Sequence, residues 1–239
     1  MEPQLLVYRD AEAAVEALAH AVVGTLAGAV ARRGEARLAL SGGSTPKALH
    51  RRLLAPEFAA ALPWAKVDVF FGDERCVPPA DAHSNFRMAR ETLLDHLPVP
   101  SRRVLAIDGT LPPEEAAARY GEAVTTLPLD LVLLGLGDDG HTASLFPGGT
   151  GFSPSDPVAV AALAPGHPRH RVSLSLATLM RARTLLFLVL GRSKGDALRS
   201  VLAQYALPEG PSTLPAARLR PTGGQVSIYT DAEAMDGTR

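Results

Sequence analysis

The sequence predicts an α/β fold: a single domain on a mostly parallel, Rossmann-like sheet with helices on both faces. Three observations carry that expectation. Strand-length apolar runs alternate with helix-period segments along most of the 239 residues. Several runs, such as TLLFLVLG at 184–191, are continuously apolar, as strands buried on both faces are. Gly-rich and polar clusters follow directly on those runs, where an open parallel sheet binds its ligands.

Taken in order, Val15, Leu18, Val22, Leu26 and Val30 recur at three- and four-residue spacing, which predicts an amphipathic helix over 11–32 with Asp10 as its N-cap. RLAL (37–40) is a short strand, followed by SGGSTP and a second helix with Pro46 in its first turn. VDVFF (67–71) is a strand leading into GDERCVPPADAHSN, and Ser84 opens a helix to about Leu97. VLAI (104–107), a helix near 113–126 and the strand LDLVLLG (129–135) continue the alternation. Further strands are expected at VAVAAL (158–163), RVSLSL (171–176), TLLFLVLG and QVSIYT (225–230), with a helix near 193–205. The Pro-rich pieces between them are short enough to be ordinary connections.

Composition narrows the function. Basic and acidic residues nearly balance, 24 against 25, and no Lys/Arg block stands out, which argues against a nucleic-acid surface. The single cysteine, Cys76, excludes an intramolecular disulfide and a Cys-based zinc site, and points to a reduced, cytoplasmic setting. The apolar stretch Ala17–Ala31 lacks a basic segment before it, follows Glu12 and Glu16, and is too short for a bilayer, so neither a targeting signal nor a membrane span is expected. Lysine occurs only at 47, 66 and 194, which draws attention to Lys194 at a strand end.

Four clusters fall on one expected edge: Ser41–Thr45, Gly72–Arg75, Gly135–His141 and Gly191–Lys194. In SGGSTPKAL, Gly42 and Gly43 let backbone approach a ligand, and Ser44, Thr45 and a helix N-terminus offer donors to an anion. The bland alternative is a tight turn with a Ser/Thr cap. Arg171 and Lys194 could add positive charge, although either residue taken alone reads as surface. Asp73 and Arg75 would project to the same side of a continuing strand, with Ser84 and Asn85 opening the next helix. An exposed ion pair there would mean little. Cys76 beside Arg75 reads as a bystander.

Gly135, Gly137 and Gly140 spell G-x-G-x-x-G, but the dinucleotide context fails. The pattern lies past mid-chain, FPGG stops any following helix, and Asp156 sits near prolines rather than at a strand end. The same loop holds Asp138, Asp139 and His141. His20, His50 and His96 fall in expected helices, His167 and His170 in a polar loop, and His83 near the Asp73 loop is a weaker candidate. His141 is the histidine placed for chemistry.

With all four clusters in place, the chain resembles the 6-phosphogluconolactonase family, within the wider group that includes glucosamine-6-phosphate deaminase. The residues that carry the resemblance are SGGSTP (41–46), DERCVP with the later SN (73–78, 84–85), GLGDDGHTASLFPG (135–148), RVSLSL (171–176) and GRSK (191–194). They run in the family's order over 41–194. The deaminases carry an Asn-Glu-Pro segment after the histidine, where this chain has SLFPG without an acid. They also have DEY where this chain has DER. Two mild departures from the lactonases are Ser173, where threonine is commoner, and GHPRH, where a lysine is often seen.

The resemblance implies hydrolysis of 6-phospho-D-glucono-1,5-lactone to 6-phosphogluconate, the second step of the oxidative pentose phosphate pathway. It implies that Gly42, Gly43, Ser44, Thr45, Asn85, Arg171 and Lys194 bind the phosphosugar, that His141 is the general base, and that Asp139 or Asp73 orients it. Arg75 would stabilise the oxyanion. No metal, cofactor, membrane, nucleic acid or obligate protein partner is implied. Ser41 and Ser44 lack the G-x-S-x-G setting of an acyl-enzyme nucleophile. A deaminase or isomerase using Asp73, and a non-catalytic sugar-phosphate sensor, are the alternatives.

Overall fold

The computed structural model describes residues 2–124, 128–207 and 212–236. In chain order its elements are β1 (Gln4–Tyr8), α1 (Ala11–Arg33), β2 (Ala36–Leu40), α2 (Thr45–Leu53), α3 (Pro56–Ala61), β3 (Val67–Phe71), β4 (Asp73–Arg75), α4 (Asn85–Thr92) and α5 (Pro113–Val124). They continue with β5 (Leu131–Leu134), β6 (Ala159–Leu163), β7 (His170–Leu174), α6 (Leu176–Leu179), β8 (Thr184–Val189), α7 (Gly195–Tyr205), β9 (Gln225–Asp231) and α8 (Ala232–Asp236). Six parallel strands form the main sheet in the order β1-β9-β8-β5-β2-β3. Every residue of β5 and β8 is buried, as strands covered on both faces must be.

The expected helix over 11–32 is α1. Asp10 accepts the Ala13 N–H at 2.8 Å as N-cap, and Gly34 closes the far end at φ 84°. The helix is longer than its apolar stretch suggested, and at 23 residues it is long and apolar enough to cross a membrane by length and composition. Val15, Leu18, Val22, Leu26 and Val30 are instead buried in the core.

Several elements differ from the sequence expectation, each for a local reason. Strand β1 was not anticipated, because it is a half-exposed edge recruited from the far end of the chain by β9, Gln4 opposite Ser227. VLAI is not a strand: Val104 makes one bridge to Val69, and Leu105 N–H donates to the Val69 carbonyl at 2.8 Å. The helix from Ser84 stops at Thr92, where Leu93 leaves helical geometry and a short 3₁₀ turn at Leu94–His96 buries Leu94. Pro98 then holds Leu97 extended. The helix near 113 runs to Val124, and the expected residues 125 and 126 lie outside those described. His170 is the first residue of β7, not a loop residue.

The largest difference is a second sheet. The runs at 159–163 and 170–174 do not join the parallel sheet but pair antiparallel with each other, and β4 joins them in the order β4-β7-β6. Gly72 links the two sheets, donating its N–H to the Leu40 carbonyl at 2.8 Å and accepting from Leu174 N–H at 2.9 Å. Just before it, the buried Tyr120 hydroxyl donates to the Phe71 carbonyl and accepts the Phe71 N–H, both at 2.7 Å. The end of β3, and thus the start of β4, is pinned from both sides.

Candidate active site

The loops after β2, β5 and β8 meet β4 and β7 around one cavity of about 400 Å³. Gly42, Gly43, Ser44, Thr45, Asp73, Arg75, His141, Arg171 and Lys194 all line it. Of the residues singled out from sequence, Asp139 and Asn85 stand behind this wall rather than in it.

The turn after β5 is shaped around the imidazole of His141. A Cβ on Gly137 would stand about 2.0 Å from His141 Nδ1, so only glycine leaves room for the ring. Gly140 holds φ 78°, a left-handed conformation that suits glycine. Its carbonyl accepts the Ala216 N–H at 3.1 Å, and its Cα faces the Leu214 side chain. Asp139 Oδ1 accepts from the His141 backbone N–H at 3.0 Å and lies 2.5 Å from ring Nδ1. Burial pushes the Asp139 carboxyl up, but the two His141 hydrogen bonds and the imidazole's charge hold it below the usual carboxylate value. With Nδ1–H donated to Asp139, Nε2 is the basic nitrogen, and it has no hydrogen bond among the described residues. The Phe146 ring packs at 4.6 Å from the imidazole.

Asp139, not Asp73, is therefore the partner of His141. Asp73 Oδ2 accepts the Ser144 hydroxyl at 2.6 Å, and Oδ1 lies 3.3 Å from the Asn85 amide nitrogen. Ser144 reaches it because Ala143 adopts φ 49°, a conformation costing an L-residue about 1–2 kcal/mol. Asn85 donates to the Asp73 carbonyl at 2.9 Å, and its amide fills the space a Gly42 side chain would need. It supports Asp73 and the glycine turn from behind.

In the turn after β2, Gly43 has φ 105°, and Ser44 is already helical with its hydroxyl making no cap hydrogen bond. The simple capping explanation for this serine fails. The exposed Ser44 hydroxyl and the Thr45 N–H are left for a ligand, since Pro46 has no N–H and the Lys47 N–H donates to the Ser44 carbonyl at 3.2 Å.

The small sheet supplies an unusual pair. Arg75 and Arg171 sit directly opposite each other in the β4–β7 ladder, where like charges repel. Arg75 donates from Nη1 to the His83 carbonyl at 2.6 Å, while its Nε is buried without a partner. Arg171 is only 9% exposed, and its guanidinium makes no hydrogen bond among the described residues. Burial, then the charge of Arg75, push its pKa down. A buried cation without a hydrogen-bonded acceptor, facing a cavity, is built for an incoming anion. On the other flank Lys194 pairs with Asp138 at 2.7 Å. The Gly191 N–H before it is held by the buried Asp231 carboxylate at 3.0 Å.

Cys76 is half-buried and its thiol is pushed up by burial, away from reactivity. His83 pairs with Asp81 at 2.9 Å, and its ring lies 6.2 Å from that of His167. Neither lines the cavity. Sequence reasoning passed over Ser144, Phe146, Glu74 and Asp231. The first three lie inside quoted motifs, Glu74 in DERCVP, whereas Asp231 lies outside all of them, and both carboxylates are ordinary residues until their burial is seen.

A family model described as glucosamine-6-phosphate isomerases/6-phosphogluconolactonase matches residues 9–228. The chain belongs to this family. A 6-phosphogluconolactonase of Synechocystis is 36% identical, with all of both chains covered. The structure of 6-phosphogluconolactonase from Trypanosoma cruzi is similar at TM-score 0.86 and 27% identity, covering 100% of this chain and 98% of the other. A monomeric glucosamine-6-phosphate deaminase shares the fold at TM-score 0.84 and 21% identity, covering 98% and 99%. Both activities of the family thus occur on one architecture, and the site must distinguish them.

Proposed function

We propose that the chain hydrolyses 6-phospho-D-glucono-1,5-lactone to 6-phospho-D-gluconate in the pentose phosphate pathway. The observation that carries this reading is the placement of Arg171, a buried cation without a hydrogen-bonded acceptor, in one cavity with a histidine whose partner leaves Nε2 basic. The first feature suits a phosphate, the second a water to be deprotonated.

In this reading Arg171, Lys194 and the Gly42–Thr45 turn hold the 6-phosphate by charge and backbone donors. His141 Nε2 takes a proton from water as its oxygen bonds to C1, and Asp139 stabilises the imidazolium. Arg75, steadied by the His83 carbonyl, faces the negative charge that develops on the C1 oxygen. As the tetrahedral species collapses, the C1–O5 bond breaks, and the imidazolium returns its proton to O5. The carboxylic acid then ionises. SLFPG after the histidine favours this chemistry over sugar-phosphate deamination, because it carries no acid for ring opening.

The test is a pH-controlled hydrolysis assay on the lactone with the spontaneous rate subtracted, run beside an assay for ammonia release from glucosamine 6-phosphate. Catalysed lactone opening without ammonia release is expected. Ammonia release, or tight 6-phosphogluconate binding with no lactone turnover, would overturn the reading.

A further inference from the structure

Between Asp73 and Arg75 lies a carboxylate that the mechanism does not use. Glu74 is 2% exposed and points away from the cavity-lining pair. Its oxygens accept from Arg75 N–H, Asn85 N–H and Phe86 N–H, each at 2.7 Å, and from the Ser84 hydroxyl at 3.0 Å. Three of the four partners are backbone N–H groups, which can only donate, so the geometry matches an ionised carboxylate. Burial pushes its pKa up, and the backbone N–H groups of Asn85, Phe86 and Arg75 oppose that rise.

These bonds do more than satisfy a buried charge. Two of them come from the first residues of α4, so Glu74 caps that helix from a neighbouring sheet. The third fixes the peptide that leads into Arg75. The residue after the helix cap, Asn85, in turn holds the Asp73 carbonyl and fills the space behind Gly42. One carboxylate therefore ties together the strand carrying Asp73 and Arg75, the helix behind it, and through Asn85 the glycine turn of α2. Three-residue β4 has too little apolar surface to be held by packing alone.

We infer that Glu74 is a positioning residue for catalysis, setting the Arg75 guanidinium and the Asp73–Asn85–Gly42 contact through the four donors its carboxylate gathers. The inference rests on the lactonase reading of the cavity. Glu74→Gln keeps the shape but turns an amide N–H toward a donor, and Glu74→Asp keeps the charge on a shorter arm. Thr92→Val serves as the control, because it loosens the same helix at its far end, where the Thr92 hydroxyl donates to the Met88 carbonyl and meets His50.

The experiment measures kcat and KM for the lactone together with Tm for wild type and all three variants. The expected order of kcat is wild type, then Glu74→Asp, then Glu74→Gln, with the last lowered roughly 10- to 100-fold, the scale of a small misplacement of catalytic groups. Thr92→Val is expected to lower Tm with kcat near wild type. Should Glu74→Gln fail to fold, Glu74→Asp carries the test. A folded Glu74 variant with wild-type kcat, or a Thr92→Val enzyme losing as much kcat as the Glu74 variants, overturns the inference. A wild-type enzyme without lactone turnover overturns the underlying reading instead.

Discussion

The two sheets are held together by different physics. In the parallel sheet, β5 and β8 are wholly buried and apolar apart from Thr184, and stability comes from packing. In the small sheet, β7 still buries Val172 and Leu174, but β4 and β7 also bury Asp73, Glu74, Arg171 and Ser173, and β4 is held by hydrogen bonds to the Glu74 carboxylate. The parallel sheet presents backbone turns, His141 and Lys194 at its edge. The antiparallel sheet presents two adjacent arginines and, among the described residues, no hydrogen-bond acceptor for one of them. The difference implies that the first region sets stability, whereas the second carries charge that is unfavourable until substrate arrives.

The sharpest way to break that comparison is at the one reactive group the parallel sheet supplies. His141→Ala is expected to lower kcat roughly 10²- to 10⁴-fold, the usual worth of a general base, with KM within a few-fold of wild type. Initial rates corrected for spontaneous opening check this, and a fully active variant removes His141 from the mechanism. Gly137→Ala asks whether the turn exists for the ring. Its Cβ would collide with Nδ1 and move the imidazole, so kcat should fall by up to about 10²-fold with little change in KM. Equal kcat would mean that the ring finds a second productive position.

A smaller effect tests the packed side. His50 is fully buried between α2 and α4, with Nδ1 2.7 Å from the Thr92 hydroxyl, and burial lowers its pKa from 6.5 to about 4. The unfolded chain binds this proton below about 6.5, whereas the native protein resists it down to about 4. Stability from this source is therefore complete above the unfolded value and is lost as pH falls toward the folded one. The span is about 3 kcal/mol at most. Denaturant unfolding at several pH values should show wild type losing stability across that window more steeply than His50→Leu. Parallel curves would contradict the assignment.

Much of the parallel sheet was legible in the sequence because its signal is local. TLLFLVLG and LDLVLLG announce buried strands, and a Gly-rich cluster after each marks the binding edge. The small sheet was not legible as such. Nothing in HRVSL distinguishes an antiparallel partner of DER from another parallel strand, so the apposition of Arg75 and Arg171 stayed hidden. Glu74 and Ser144 acquire meaning only through residues 10 and 71 positions away. The choice between Asp73 and Asp139 depended on distances. VLAI makes only one bridge where a strand was expected, and β1 carried no signal of its own, because marginal strands are decided by what pairs with them.

One pair of measurements bears on the division of labour most directly: Tm and lactone kinetics for Arg171→Ala beside Leu185→Ala. Removing Arg171 relieves a buried, repelled charge, so Tm should hold or rise. KM should increase roughly 10- to 150-fold, the worth of about 1.5–3 kcal/mol from charged hydrogen bonds to the phosphate. Leu185→Ala empties a fully buried position in β8 and should cost about 2–5 kcal/mol of stability, with kinetics near wild type while folded. The contradicting result is an Arg171→Ala enzyme that loses Tm but binds and opens the lactone as wild type does.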